Sequence, residues 1–307
     1  MIDQLEAAGS GIVVGADGSE NGRAALRWAA RTAVAYQLPL TVLHAVPDDA
    51  GDAVPVLFAE PTGVLGEAVE LVRSVEPGLQ VRALQMPNSP VRSLLAFGET
   101  AELLVLGPRG VEGFRGLLLG STTMHVAPYA KCPVVVVHSE TESAPAARAL
   151  RGEGGKGGNP GQVVLGYDGS RGSNRAAAFA FRHAAALGTG VVAVTVEPGR
   201  GKPQSEEIDP ENAVPGSDTS AFHSPVIVTA ASFPDVPVSF VEGTGRPAEV
   251  LLAEAAGAEL LVVGSRGSGG FTELVMGSVT QKVLAHADCP VAVLHPGITA
   301  RTAAGLG

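Results

Sequence analysis

The chain reads LLVLGPRG at residues 103–110 and LLVVGSRG at 260–267, and each copy is followed after nine residues by Gly-Ser, at 120–121 and 277–278. The two copies lie 157 residues apart, from 103 to 260. A short apolar run that ends in a glycine turn is typical of a buried strand in a parallel sheet. The repeat therefore predicts two α/β domains, each with a glycine loop at the carboxyl end of a strand.

A second repeat marks the start of each half, IVVGADGS at 12–19 and VVLGYDGS at 163–170. Each copy predicts a buried strand and a turn whose serine can cap a helix. Strands alternating with helices, twice over, predict an α/β fold with two doubly wound five-stranded parallel sheets. The remaining patterns predict helices at 22–36, 90–99, 174–187 and 247–256, and strands at 40–46, 79–85, 133–138, 191–196, 238–242 and 290–295.

The length of 307 residues suits about two domains of roughly 150 residues. A polar, glycine-rich stretch separates the two halves, and its composition is typical of a flexible linker. We therefore predict a first domain at 1–140, a linker at 141–160, a second domain at 161–297 and a tail at 298–307.

Charge and hydropathy exclude several classes of partner. The net charge is −10 with no basic stripe, which argues against nucleic acid or an anionic membrane as the main partner. The sequence lacks a run of 18 apolar residues that could span a membrane, so we expect a cytoplasmic protein. Two cysteines at equivalent repeat positions are interpreted as core residues and not as a disulfide.

Both glycine loops are predicted to bind phosphate. Ligands of doubly wound sheets bind beyond the carboxyl ends of the strands, where glycine turns and helix starts present backbone N–H groups to an anion. The pattern is not a P-loop, because no Gly-Lys-Ser/Thr occurs, and Asp17 and Asp168 stand where a dinucleotide fold has its glycines. Zinc spacing and a nucleophilic triad are both missing from the sequence, so no metal ligand or catalytic residue is assigned.

These features together resemble the universal stress protein family. Each half has the family's strand–Asp-Gly-Ser start, its Gly-x2-Gly-x9-Gly-Ser loop and its Cys-Pro-Val final strand, at 132–134 and 289–291. The resemblance implies strand order 3-2-1-4-5 in each half and one ATP per half, with Mg²⁺ left open. It also implies that the fifth strands pair the two domains across a pseudo-twofold axis, and a homodimer stays open.

The resemblance also assigns nucleotide contacts by position. Residues near the first strands would lie by the nucleoside, residues ending the second strands would meet adenine through their backbone, and the glycine loops would hold ribose and phosphates. In the first half these are Gly15, Asp17, Ala45, Gly107, Arg109, Gly110, Gly120, Ser121 and Thr122. In the second half they are Gly166, Asp168, Val196, Gly264, Arg266, Gly267, Gly277, Ser278 and Val279.

The first half departs from the second at three positions. Pro108 replaces Ser265 and removes a backbone donor, Glu112 adds a negative charge near the expected phosphates, and Pro128 falls within the helix that follows the loop. We therefore expect the second site to bind ATP at least as well as the first.

The leading hypothesis is a nucleotide-dependent regulator or binding module with slow or no hydrolysis. The sequence offers no general base, and only Arg109 and Arg266 are candidates to reach a γ-phosphate. An alternative is an ATP-dependent transferase or hydrolase that uses the same clefts. A dimeric scaffold with vestigial pockets is the third hypothesis.

Overall fold

A computed structural model describes residues 10–46, 55–110, 119–138, 158–198, 220–267 and 276–297. The first half contains β1 (Ile12–Gly15), α1 (Glu20–Tyr36), β2 (Leu40–Ala45), β3 (Val56–Phe58), α2 (Gly63–Val75), β4 (Val81–Met86), α3 (Pro90–Phe97), β5 (Leu103–Leu106), α4 (Ser121–Val126) and β6 (Val134–Val136). The second half contains β7 (Val163–Gly166), α5 (Arg171–Leu187), β8 (Val191–Pro198), α6 (Ser220–Ala230), β9 (Val238–Gly245), α7 (Pro247–Glu254), β10 (Leu260–Gly264), α8 (Ser278–His286) and β11 (Val291–Leu294).

The fold is α/β, as predicted, but the strands form a single sheet. Their order is β3-β4-β2-β1-β5-β6-β11-β10-β7-β8-β9. The fifth strands, β6 and β11, pair antiparallel, with Val135 opposite Ala292, and this pairing, which the resemblance implies, joins the two predicted five-stranded sheets into one. Counted within each half, the order is 3-2-1-4-5, with β3 added at one edge. The strand order is therefore symmetric about the β6–β11 pair, except that β3 has no counterpart in the second half.

Two apolar layers cover the two faces of this sheet. One layer packs α1, α2 and α5 against alternate strand residues such as Val14 and Val262. The other packs α3, α7 and α8 against the intervening residues, including Val13 and Val263. Burial of successive residues on both faces explains why the central strands are continuous apolar runs.

The structure adds three elements to those predicted. The strand β3 has only three residues, which is too short for a sequence pattern to predict it, and it pairs antiparallel with β4. Helix α2 begins at Gly63, whose φ of +59° is unusual for a helix start. Helix α6 contains Pro225, which weakens its helical pattern.

Helix α4 is shorter than its counterpart α8, with six residues against nine. Pro128 has no N–H group to donate to the carbonyl four residues earlier, so the helix ends at Val126. Of the two effects that a proline within a helix can have, a kink or a shortening, the structure shows the shortening. None of the helices in the described residues is long and apolar enough to cross a membrane.

The two halves also meet through helices α1 and α5. The hydroxyl of Tyr36 lies 2.9 Å from Nδ1 of His183, and Arg182 donates to Glu102 at 3.1 Å. Both contacts join the first half to the second. With the β6–β11 pair, they make the two halves one structural unit.

Leu261→Ala should lower the free energy of unfolding of the whole chain by about 2–5 kcal/mol, because Leu261 is fully buried in the second half. Trp28, the only tryptophan, lies in the first half and can report the effect by fluorescence in a urea titration. Val228→Ala, at a residue 71% exposed, is the control and should change stability by less than about 0.5 kcal/mol. An unchanged Trp28 midpoint in Leu261→Ala would show that the halves unfold independently.

Candidate functional site

Each half has an Asp-Gly-Ser turn between its first strand and first helix. Gly18 and Gly169 have φ of +83° and +77°, a conformation that favours glycine. In the first half, Oδ1 of Asp17 accepts hydrogen bonds from the backbone N–H of Ser19 at 3.0 Å and from its hydroxyl at 2.7 Å. The serine Oγ then caps α1 by accepting from Gly22 N at 2.9 Å. One carboxylate oxygen is therefore committed to the turn.

The second turn repeats this arrangement. Oδ1 of Asp168 accepts from Ser170 N at 3.1 Å, and Oγ of Ser170 accepts from Ser173 N at 3.1 Å. The same capping of the first helix therefore fixes the aspartate at equivalent places in both halves.

The other carboxylate oxygen faces the glycine loop. A Cβ on Gly110 would lie 2.5 Å from Oδ2 of Asp17, and one on Gly267 would lie 2.6 Å from Oδ2 of Asp168. These distances are too short for a real Cβ, so the aspartate reaches its position because a glycine stands opposite. The structure thus brings together two motifs that are about 90 residues apart in the sequence.

Gly107 and Gly264 lie where each glycine loop passes closest to the first helix of its half. A Cβ on Gly107 would lie 2.9 Å from Cβ of Asn21 in α1, and one on Gly264 would lie 3.0 Å from the backbone carbon of Gly172 in α5. Both glycines therefore let the first helix of each half pack closely on the loop.

The ends of each glycine loop are held together by hydrogen bonds. Gly120 N donates to the carbonyl oxygen of Pro108 at 2.7 Å, and Gly277 N donates to that of Ser265 at 2.9 Å. The intervening residues 111–118 and 268–275, which include Glu112, lie outside the described residues.

Two threonines complete the loops and were not predicted. Thr123 Oγ1 donates to the carbonyl oxygen of Gly107 at 2.9 Å, and Thr280 Oγ1 donates to that of Gly264 at 2.8 Å. Both are nearly fully buried. Their shared repeat offset was the sequence signal that could have identified them.

The helices that follow the loops begin without a side-chain cap. Serine side chains cap α1, α3 and α5, whereas α4 and α8, like α2 and α7, have no side-chain cap, and their N-cap residues are Gly120 and Gly277. The first N–H groups of a helix have no partner within the helix, and they carry partial positive charge. Ser121 and Ser278, the first residues of these helices, are exposed. An uncapped helix start beside a glycine loop can therefore accept an anion.

The backbone N–H group that Pro108 lacks is engaged within the protein in the second half. Its counterpart Ser265 uses its N–H group to donate to the carbonyl oxygen of Leu294 at 2.8 Å. This hydrogen bond ties the loop to the end of β11. Pro108 cannot make the equivalent hydrogen bond to Val137, the residue that follows β6.

Arg109 and Arg266, in the two glycine loops, are half-buried. Arg266 and a second cation, Arg175, both act on His295. Burial, together with the guanidinium groups of Arg266 and Arg175, holds the pKa of His295 below its ordinary value. The cation of Arg266 therefore acts on the carboxyl end of β11, and Arg109 occupies the same loop position in the first half.

The other predicted residues lie at the same edge of the sheet. Gly15 and Gly166 end β1 and β7, where a Cβ would lie 3.0 and 3.1 Å from leucine side chains. Ala45 ends β2, and Val196 lies near the end of β8; both are half-buried. Thr122 and Val279 are the second residues of α4 and α8. In the described part of the chain, no three His, Cys, Asp or Glu side chains cluster to hold a metal.

The two kinds of loop glycine should respond differently to alanine. Gly107→Ala should lower the free energy of unfolding by about 1–3 kcal/mol, because its Cβ meets atoms of α1 that cannot move alone. Gly110→Ala should cost less than about 1 kcal/mol, because only the flexible Asp17 side chain must move. Gly78→Ala, with no heavy atom within 4 Å, is the control. Urea titrations measure all three, and equal losses for Gly107→Ala and Gly110→Ala would contradict the assignment.

The family model described as the universal stress protein family matches residues 11–138 and 161–295. A universal stress protein of Mycobacterium tuberculosis is 33% identical over 303 residues, covering 92% of this chain and 96% of the relative. One of Mycolicibacterium smegmatis is 32% identical over 311 residues, covering 93% and 97%. The crystal structure of a universal stress protein from Archaeoglobus fulgidus has the same fold, with a TM-score of 0.58 at 18% identity, covering 94% of this chain and 99% of that one. The two matched segments and these full-length relatives establish that the chain belongs to the universal stress protein family.

Proposed function

We propose that the protein binds ATP or a related adenine nucleotide at one site per half, and that it acts as a nucleotide-dependent regulator. The observation that carries the proposal is the duplicated arrangement of an aspartate, a facing glycine and an uncapped helix start at the carboxyl edge of the sheet. A turn with only a structural role would not need both a glycine opposite the carboxylate and a helix without a cap.

Each candidate site has an aspartate at one end and a glycine loop at the other, and the chemistry of both ends suits a nucleotide. Oδ2 of Asp17 or Asp168 accepts hydrogen bonds, so a ribose hydroxyl is a fitting donor. The glycine loop and the helix start offer N–H donors and partial positive charge, which fit phosphate oxygens. Arg109 and Arg266 would add charge-assisted hydrogen bonds to the phosphates. Ala45 and Val196 would meet the base through their backbone.

The second site should bind more tightly than the first. Helix α8 has nine residues whereas α4 has six, so more peptide dipoles align toward the ligand of the second site. The difference in helix length thus leads to an order of affinities that agrees with the expectation from the sequence.

Hydrolysis should be slow or absent. The aspartate of each site has one oxygen engaged in its own turn, and it is assigned to the ribose end, away from a γ-phosphate. A general base must lie within hydrogen-bonding reach of the attacking water. The domain bounds, the cytoplasmic location, a role for Mg²⁺ and homodimer formation stay predictions.

Isothermal titration calorimetry with ATP tests the proposal. Wild-type protein should bind two ATP per chain, Gly110→Val and Gly267→Val one each, and the double variant none. The larger side chain displaces the facing aspartate, so each change should weaken its own site at least about tenfold. The remaining site in Gly110→Val should be the tighter one, and Gly78→Ala is the control.

Chromatography of the same mixtures separates the rival functions. Unchanged ATP after hours supports a regulator, whereas steady ADP formation that is lost in the double variant would indicate an enzyme. No ATP binding by the folded wild-type protein would contradict the proposal and favour the scaffold.

A further inference from the structure

The contact between α1 and α5 has a histidine at its centre. His183 of α5 is fully buried, and its ring stacks on Trp28 of α1, with centroids 5.7 Å apart and planes at 22°. It also stacks on Phe179 at 6.0 Å, and the edge of the Tyr36 ring meets it at 5.8 Å. A titratable ring is therefore packed among aromatic side chains of both halves.

The hydrogen bonds of His183 suit its neutral form. Nδ1 lies 2.9 Å from the hydroxyl of Tyr36. Nε2 is buried, and it has no hydrogen-bond partner among the residues that the structure describes. A protonated imidazole has two N–H donors, so the second donor would be buried with no acceptor within the described part of the chain.

The charges around the ring also disfavour a proton. Arg182 lies next to His183 in α5, with its guanidinium carbon 5.5 Å from the centres of the Tyr36 and Phe179 rings. Glu102, in the loop before β5, is paired with Arg182 at 3.1 Å. Burial raises the pKa of Tyr36, so its hydroxyl keeps its proton. Glu259 occupies the repeat position of Glu102 in the second half, and it interacts with Arg31 of α1.

The two halves are not symmetric at this contact. At the repeat offset of the first helices, Thr32 corresponds to His183 and Leu187 corresponds to Tyr36. The His183–Tyr36 pair therefore has no counterpart at the equivalent positions of the two helices. His183 is therefore the one fully buried histidine at the α1–α5 contact among the described residues.

We propose that the Tyr36–His183 contact is an acid-sensitive latch between the two halves. Uptake of a proton by His183 opens the α1–α5 contact, while the β6–β11 strands stay paired. The opening lets the imidazolium reach water, which removes its repulsion by Arg182 and satisfies its second N–H group.

The direction of the pH effect follows from the two protonation equilibria. Burial, and then the Arg182 charge, lower the pKa of His183 in the closed form from 6.5 to about 4. In the open form the pKa returns toward its ordinary value. The closed contact therefore keeps its full stability above pH 6.5 and loses it as the pH falls toward 4. Over this window the open population should rise by up to about 300-fold.

Trp28 gives a direct readout because it is the only tryptophan and lies against His183. On acidification from about pH 7.5 to about pH 3.5, its emission should shift to longer wavelength with a midpoint between about 4 and 6.5. Far-UV circular dichroism should stay constant through that transition. Coincident loss of the dichroism would show global acid unfolding and overturn the latch.

Three variants identify the sensor. His183→Asn keeps a polar group near Nδ1 but cannot titrate, so its emission should not respond in this window. Tyr36→Phe removes the hydroxyl that holds the closed form, so its midpoint should move to higher pH. His125→Asn, at an exposed histidine, should behave as wild type.

A transition in His183→Asn like that of the wild type would overturn the proposal. If His183→Asn fails to fold, the wild-type protein alone still gives a decision. The imidazole proton resonances of His183 in an NMR titration must then follow the Trp28 midpoint, and a different midpoint would overturn the latch.

Discussion

The close approach of a glycine to an aspartate governs each half of this protein. Strands β1 and β5 are parallel neighbours, with Val14 paired to Val105, so the loops that follow them lie side by side. The carboxylate of Asp17 and the backbone at Gly110 then compete for the same space, and only a residue without a side chain resolves the conflict. The second half repeats the constraint at Asp168 and Gly267. The close packing of α1 and α5 on these loops depends on two other loop glycines, Gly107 and Gly264.

Pairing of β6 with β11 places the two copies in one sheet. Each of these strands would be an exposed edge if its half stood alone, and exposed edges invite pairing with other chains. The antiparallel pair removes both edges and makes the halves face each other through α1 and α5. Sites in the two halves are thus parts of one structural unit. In one structural unit, a ligand bound in one half can change the affinity of the other half, as the proposed regulator requires.

Much of this could be predicted from sequence because the decisive residues act locally. Gly18 needs a positive φ whatever surrounds it, and the valine and leucine runs must be buried on both faces. Pro128 must end a helix for the same local reason. The universal stress protein resemblance then supplied the strand order that periodicity alone does not give.

What could not be predicted depends on distant parts of the chain. The N–H group of Ser265 is directed to Leu294 because β10 and β11 are adjacent, so no property of the loop itself reveals that the N–H group missing at Pro108 has this structural use. Thr123 and Thr280 look like ordinary helix residues until the loop carbonyls come within reach. The short strand β3 exists only because β4 offers it an edge.

The central claim is that each half holds one nucleotide between its aspartate and its glycine loop. A crystal structure of the protein with a non-hydrolysable ATP analogue tests it most directly. The account predicts electron density in both halves, with ribose at Asp17 and Asp168 and phosphates at the starts of α4 and α8. Nucleotide density at any other place, or none in crystals grown at saturating analogue, would contradict it.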